Sequence, residues 1–167
     1  MVPNTIYFYA IGYADSQIAG VTAEHYFKTS PLPLVGESIN IWALGDAGRK
    51  NVAQRSVRDA FYNYNGGEPI DLLLTMGDNA YSDGTDDEFQ DSWFENMYED
   101  RLINIPMFQT YGNHDGVSAD GETETGDYFD IFTMPTDGSC GGVLSGNDSY
   151  YSFNYADVHF VSLNNWV

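Results

Sequence analysis

An α/β architecture with a mostly parallel sheet is what this sequence predicts, and three observations predict it. Strand-like and helix-like stretches alternate from Ile39 to Gln109, giving a β-α-β-α-β run. The middle strand candidate, Ile70–Met76, is nearly all apolar, as a strand covered on both faces should be. Each strand candidate also runs into a glycine followed by oxygen or imidazole donors: Gly45-Asp46-Ala47-Gly48, Gly77-Asp78-Asn79-Ala80-Tyr81 and Gly112-Asn113-His114-Asp115. Parallel connections bring such ends to one carboxyl edge of the sheet, where open α/β sheets hold their sites.

Taken in order, Thr5–Ile11 reads as a strand, Gly12–Gly20 as a turn and Val21–Lys28 as a second strand. Ser30-Pro31-Leu32-Pro33 breaks the pattern and reads as a short, stiff linker. Strand Ile39–Leu44 follows, then a helix over Asn51–Tyr64 with Val52, Val57, Ala60 and Phe61 on one side. Gly66-Gly67 and Pro69 stop it ahead of strand Ile70–Met76. An acidic loop, Asp83–Asp87, leads to a second helix over Asp87–Tyr98, whose Phe89, Trp93, Phe94, Met97 and Tyr98 recur at helical spacing as core. Strand Met107–Gln109 completes the run. Gly116–Asp127 reads as loop, Tyr128–Phe132 as a short segment, and Tyr150–Tyr155 with Val158–Leu163 as an antiparallel hairpin.

Composition bounds the function. The 167 residues suffice for one core and a small appendage, and 43% hydrophobic with 16% aromatic content argues against disorder. No apolar run approaches the ~20 residues of a membrane span. The first residues show no basic stretch followed by an apolar one, so no signal peptide is visible. Net charge is −19, from 25 acids against 6 bases, which argues against a nucleic-acid-binding surface. It reads as the acidic surface of a secreted or salt-adapted protein. An anionic substrate would be repelled unless cations at the site reverse the local field. The single Cys140 forms no internal disulfide.

Taken singly, a Gly-Asp pair is a turn, since Asp bonds its own backbone. Three aligned strand ends change the reading. Carboxylates bind hard cations, imidazole and amide oxygen extend the shell, and one carboxylate can bridge two metals. Asp78, on the central motif, is the natural bridge, and Tyr81 can reach the same cation as a phenolate. A phenolate favours a strongly Lewis-acidic ion such as ferric iron over magnesium. Asp78–Asp91 fails as an EF-hand loop, because Ala80 and Asp83 stand at its third and sixth positions.

These three blocks, with Ser82-Asp83-Gly84-Thr85 and Tyr150–Leu163, resemble the first blocks of the calcineurin-like metallophosphoesterases. Tyr81, three residues after Asp78, narrows the resemblance to the purple acid phosphatase branch. The N-terminal hairpin and Phe27-Lys28-Thr29-Ser30-Pro31 resemble the last strands of the fibronectin-like domain that precedes the catalytic domain there. The resemblance implies an incomplete metallophosphoesterase β-sandwich flanked by helices. Residues 1–33 would be the end of the fibronectin-like β domain plus linker, and residues 36–167 the N-terminal portion of the catalytic domain.

It further implies a secreted acid phosphatase that hydrolyses small phosphomonoesters at a binuclear centre, Fe(III) plus a divalent Zn, Fe or Mn. Asp46 and Tyr81 would ligate the ferric ion, Asp78 would bridge, and Asn113 would ligate the divalent ion. A metal-bound hydroxide would attack phosphorus in line, with His114 beside the phosphate stabilising the transition state or protonating the leaving oxygen. Asp115 would support the loop. The family's further histidine ligands, including a Gly-His-x-His block, have no counterpart here, and His25 and His159 read as structural. The chain is therefore expected to be a fragment of such an enzyme and poorly active alone. The alternatives are a non-catalytic acidic cation- or partner-binding module, and a phosphodiesterase or nucleotidase on the same fold.

Overall fold

Two nested antiparallel pairs open the chain. The computed structural model describes residues 1–20, 22–34, 36–95 and 97–166. In it β1 (Ile6–Phe8) and β4 (Tyr26–Lys28) form the outer pair, and β2 (Ala10–Tyr13) and β3 (Ser16–Gly20) the inner one. The expected turn over Gly12–Gly20 is thus largely strand, and the reversal itself is confined to Ala14-Asp15, with Ala14 at φ 52°. Most of β2 and β3 is exposed, so no alternation of apolar residues marked them as strands. Val21, the expected start of the second strand, lies outside the described residues.

This segment is fastened to the rest. Tyr9 donates its hydroxyl to the Ile103 carbonyl at 2.7 Å, and Asn104 donates to the Tyr26 carbonyl at 3.1 Å. Ser30, in the stretch read as a linker, accepts the Ala156 N–H at 2.8 Å, and Pro31 is buried.

The central sheet is parallel and ordered β5 (Ile41–Leu44), β6 (Leu72–Met76), β7 (Met107–Thr110). Register and alternation assign its faces. Trp42, Leu73 and Met107 are neighbours on one face, where Phe61 stacks on Trp42 at 4.0 Å between ring centres. Leu74 and Phe108 share the other, where Phe108 stacks on Phe153 at 3.9 Å. Phe153 belongs to β10 (Tyr151–Tyr155), paired antiparallel with β11 (Val158–Ser162) as the sequence predicts.

Helix α1 (Val52–Asn65) forms where expected, capped by Asn51 and closed by Gly66 in the left-handed conformation. Its inward side is the expected one only at Phe61. Val52 and Val57 are exposed, as is Ala60, while Gln54 is buried and Arg58, Phe61 and Tyr62 are half-buried. Polar anchors decide the rotation: Gln54 donates to the Ser92 carbonyl at 2.9 Å and Arg58 to the Met97 carbonyl at 2.8 Å.

The second expected helix, Asp87–Tyr98, is broken. Helix α2 (Asp86–Phe89) runs into a π-helical turn, Gln90–Phe94, and extended backbone at Glu95 precedes α3 (Glu99–Leu102). A π turn rotates the side chains that follow it, and here Trp93 reaches the Asn79 carbonyl with its indole N–H at 2.6 Å. The apolar reading of the segment holds, since Phe89, Trp93, Met97 and Tyr98 are buried. The loop expected over Gly116–Asp127 contains a minimal hairpin, β8 (Ala119–Asp120) with β9 (Thr125–Gly126), before α4 (Asp127–Ile131). Among the described residues no helix is long and apolar enough to cross a membrane.

Candidate metal centre

The loops that leave β5, β6 and β7 meet at the carboxyl edge of the sheet and bond to one another. Asp46 N–H donates to the Gly77 carbonyl at 3.2 Å, and Tyr81 N–H donates to the Gly48 carbonyl at 2.9 Å. Glycine is required at the two closest approaches. A Cβ on Gly48 would overlap the Asn79 carbonyl, and one on Gly112 would overlap the backbone nitrogen of Asp78. Asp46 and Asp78 both take left-handed backbone, φ 51° and 54°, a conformation that clusters at functional sites.

Three of the expected ligands converge. The Tyr81 hydroxyl lies 2.7 Å from Asp46 Oδ1 and 3.0 Å from Asp78 Oδ2. Burial first, and then the hydrogen bonds to these two carboxylates, hold the Tyr81 phenol well above its ordinary range. One proton therefore sits where three oxygens face each other, and a cation among them would displace it and reverse the field. Asp78 Oδ1 accepts the His114 backbone N–H at 3.1 Å. Asn113 is exposed and lines, with Asp46, Asp78 and Trp166, a cleft of about 450 Å³.

His114 packs on Tyr81 with ring centres 4.4 Å apart, and its Nδ1 lies 2.6 Å from the Ser82 carbonyl. A carbonyl only accepts, so Nδ1 carries the proton and Nε2 is the free ring nitrogen. The other two histidines have partners elsewhere: His25 with Thr22 at 2.8 Å, and His159 with Asn154 at 2.6 Å. Among the described residues no three His, Cys, Asp or Glu side chains gather as a ligand set. The expected donors at this edge are instead two carboxylates, a phenol and an amide. Two carboxylates and a phenol suit one hard, Lewis-acidic cation. Asn113 with an oxygen of Asp78 makes only part of a shell for a second.

Two groups at the site were not foreseen in these positions. The Arg49 guanidinium lies over the Tyr81 ring, 4.0 Å from its centre. Asn79, between two expected ligands, turns inward and is buried. It donates from Nδ2 to the Thr110 carbonyl at 2.9 Å and to Asp115 at 2.7 Å. Only the scarcity of bases, 6 in the chain, could have drawn attention to Arg49.

The calcineurin-like phosphoesterase family matches residues 39–165, which span all three loops. Purple acid phosphatase 15 of Arabidopsis thaliana is 26% identical over 188 residues, an alignment that takes in 99% of this chain and 33% of that protein. The solved structure of purple acid phosphatase PPD1 from yellow lupin (Lupinus luteus) seeds superposes with a TM-score of 0.56 at 20% identity, over 96% of this chain and 30% of that one. The chain thus spans about a third of the length of these relatives. With the family matched from the first strand of the central sheet to the segment after β11, the chain belongs to the calcineurin-like phosphoesterases and is purple-acid-phosphatase-like within them.

Proposed function

We propose that the protein carrying this domain is an acid phosphatase that hydrolyses phosphomonoesters at a binuclear metal centre. Asp46 and Tyr81 would hold a ferric ion, Asp78 would serve as a ligand to both ions, and Asn113 would hold a divalent Zn, Fe or Mn. These four donors would leave the second ion weakly held, so the chain by itself would be poorly active. The observation that carries the reading is the convergence of Asp46, Asp78 and Tyr81 within hydrogen-bond distance of one another.

When bound, the two cations supply positive charge for phosphate and lower the pKa of water. The chain's own residues do the rest. His114, fixed through Nδ1–H on Ser82, presents Nε2 to a phosphate oxygen or to the leaving oxygen, which it can protonate when charged. Gly48 and Gly112 allow the loops to approach closely enough for the carboxylates to meet. The same reading suits a secreted protein, in keeping with the net charge of −19.

The test is a single substitution in the iron-loaded, intact protein. Tyr81→Phe should abolish a visible phenolate-to-iron absorption and reduce turnover of a phosphomonoester. Absorption that persists in the variant would remove Tyr81 from the ligand set.

A further inference from the structure

The Tyr81 ring carries a cation on its face. The Arg49 guanidinium carbon lies 4.0 Å from the ring centre, and among the described residues no carboxylate pairs with this arginine. Asp46 and Asp78 accept hydrogen bonds from the hydroxyl of that same ring, yet the guanidinium stands on the ring and not on them. Local backbone keeps it there. Gly48, the residue before, accepts the Tyr81 N–H at 2.9 Å, and the Arg49 N–H donates to the Ala47 carbonyl at 3.0 Å. Lys50, the residue after, is drawn off to Asp91 at 2.6 Å and does not compete for the ring.

We propose that Arg49 is a positioning residue that acts on the metal centre through Tyr81, drawing electron density from the phenolate and leaving a bound ferric ion more Lewis-acidic. The inference rests on the reading of Tyr81 as an iron ligand. A phenolate is a strong donor, and what it donates lessens the positive charge left for phosphate and water. A cation over an aromatic face is attracted to the π electrons of the ring. The attraction is stronger when the ring shares the negative charge of a phenolate. Electrons held on the guanidinium side are less available at the oxygen.

Two measurable consequences follow from where the charge sits. Phenolate-to-iron excitation moves an electron out of the ring, away from the guanidinium. The cation lies over the ring, whereas the oxygen projects from its edge toward Asp46 and Asp78. The donor level is therefore lowered more than the acceptor level, and Arg49 raises the transition energy. A weaker donor and a nearby positive charge also favour Fe(II) over Fe(III), so Arg49 raises the reduction potential.

The experiment takes the intact, iron-loaded protein with Arg49→Gln and Arg49→Lys, and reads the visible absorption and, by redox titration, the iron potential. Arg49 is exposed, so both variants should fold. In Arg49→Gln the charge is lost and a planar group kept. Its band should move to longer wavelength, and the Fe(II)/Fe(III) ratio at a fixed potential should fall about fivefold. Arg49→Lys keeps the charge without the planar stack and should recover part of both shifts. A band and potential in Arg49→Gln equal to those of the parent protein overturn the assignment. Equal shifts in the two variants overturn it as well, because they would follow packing and not charge. So does complete loss of the band in either variant, since Arg49 would then decide whether Tyr81 ligates at all. An iron-loaded parent protein without a visible band overturns the ligand role of Tyr81 itself.

Discussion

Asp115 accepts both the backbone N–H of Asn79, at 2.9 Å, and its side-chain N–H, at 2.7 Å. The Gly112 and Ala80 N–H groups add bonds of 2.9 and 3.2 Å, so a single carboxylate ties the loop after β6 to the loop after β7. Asp115 is fully buried, and burial pushes its carboxyl up to about 6 even though all these donors pull it down. It belongs to no expected ligand set, yet it fixes the spacing of Asp78, Asn113 and His114.

Replacing Asp115 by Asn should therefore cost stability without changing the shape of the site. Each oxygen receives two N–H donors, so an amide NH₂ in either place sets donor against donor. Urea unfolding should show a loss of about 2–3 kcal/mol at neutral pH. An unchanged midpoint would mean that the two loops are held together without this acid.

The sheet and the site were legible in the sequence for the same reason. An apolar run that ends in glycine and then an oxygen or imidazole donor has few other meanings once it occurs three times in alternation with helices, and Asp46, Asp78 and Tyr81 do converge. The misreadings in the two helices share another cause, because both turned on a partner distant in the chain. The inward side of α1 is set by Gln54 and Arg58 reaching carbonyls of the segment after α2, which outweighs the pull of Val52 and Val57. The break in the second helix follows Trp93 to the Asn79 carbonyl. Periodicity cannot register such bonds. Arg49 over Tyr81 escaped notice likewise, since nothing near either residue announces the other.

Gly112→Ala tests how closely the loops must approach. The added methyl would overlap Asp78 N and come within 2.5 Å of Asp78 Oδ1. Neighbouring backbone, unlike a flexible side chain, cannot yield cheaply. A loss of about 1–3 kcal/mol is expected from overpacking, together with weaker binding of added ferric ion, read by titration of the visible absorption. Metal affinity equal to that of the parent protein would show that the Gly112 loop need not touch Asp78.

Acid should loosen the site from its far side, through Glu88. This residue completes the capping box with Thr85 at the start of α2, and it accepts the N–H groups of Asp83 at 3.0 Å and Thr85 at 3.2 Å. Burial pushes its carboxyl up, but the backbone donors of Asp83, Thr85, Ser82 and Gly84 outweigh that and hold it below the ordinary value. A carboxylate depressed in the folded state contributes stability above its unfolded pKa, and that contribution is lost as pH falls through the folded one. Glu88→Gln should lower the urea midpoint at neutral pH, and the gap to the parent protein should close as pH drops below the carboxylate range. The same loop carries the Ser82 carbonyl that orients His114, so the loss should reach the imidazole as well. A gap that stays constant from neutral to acid pH would mean that the box stabilises α2 through its shape and not through the charge on Glu88.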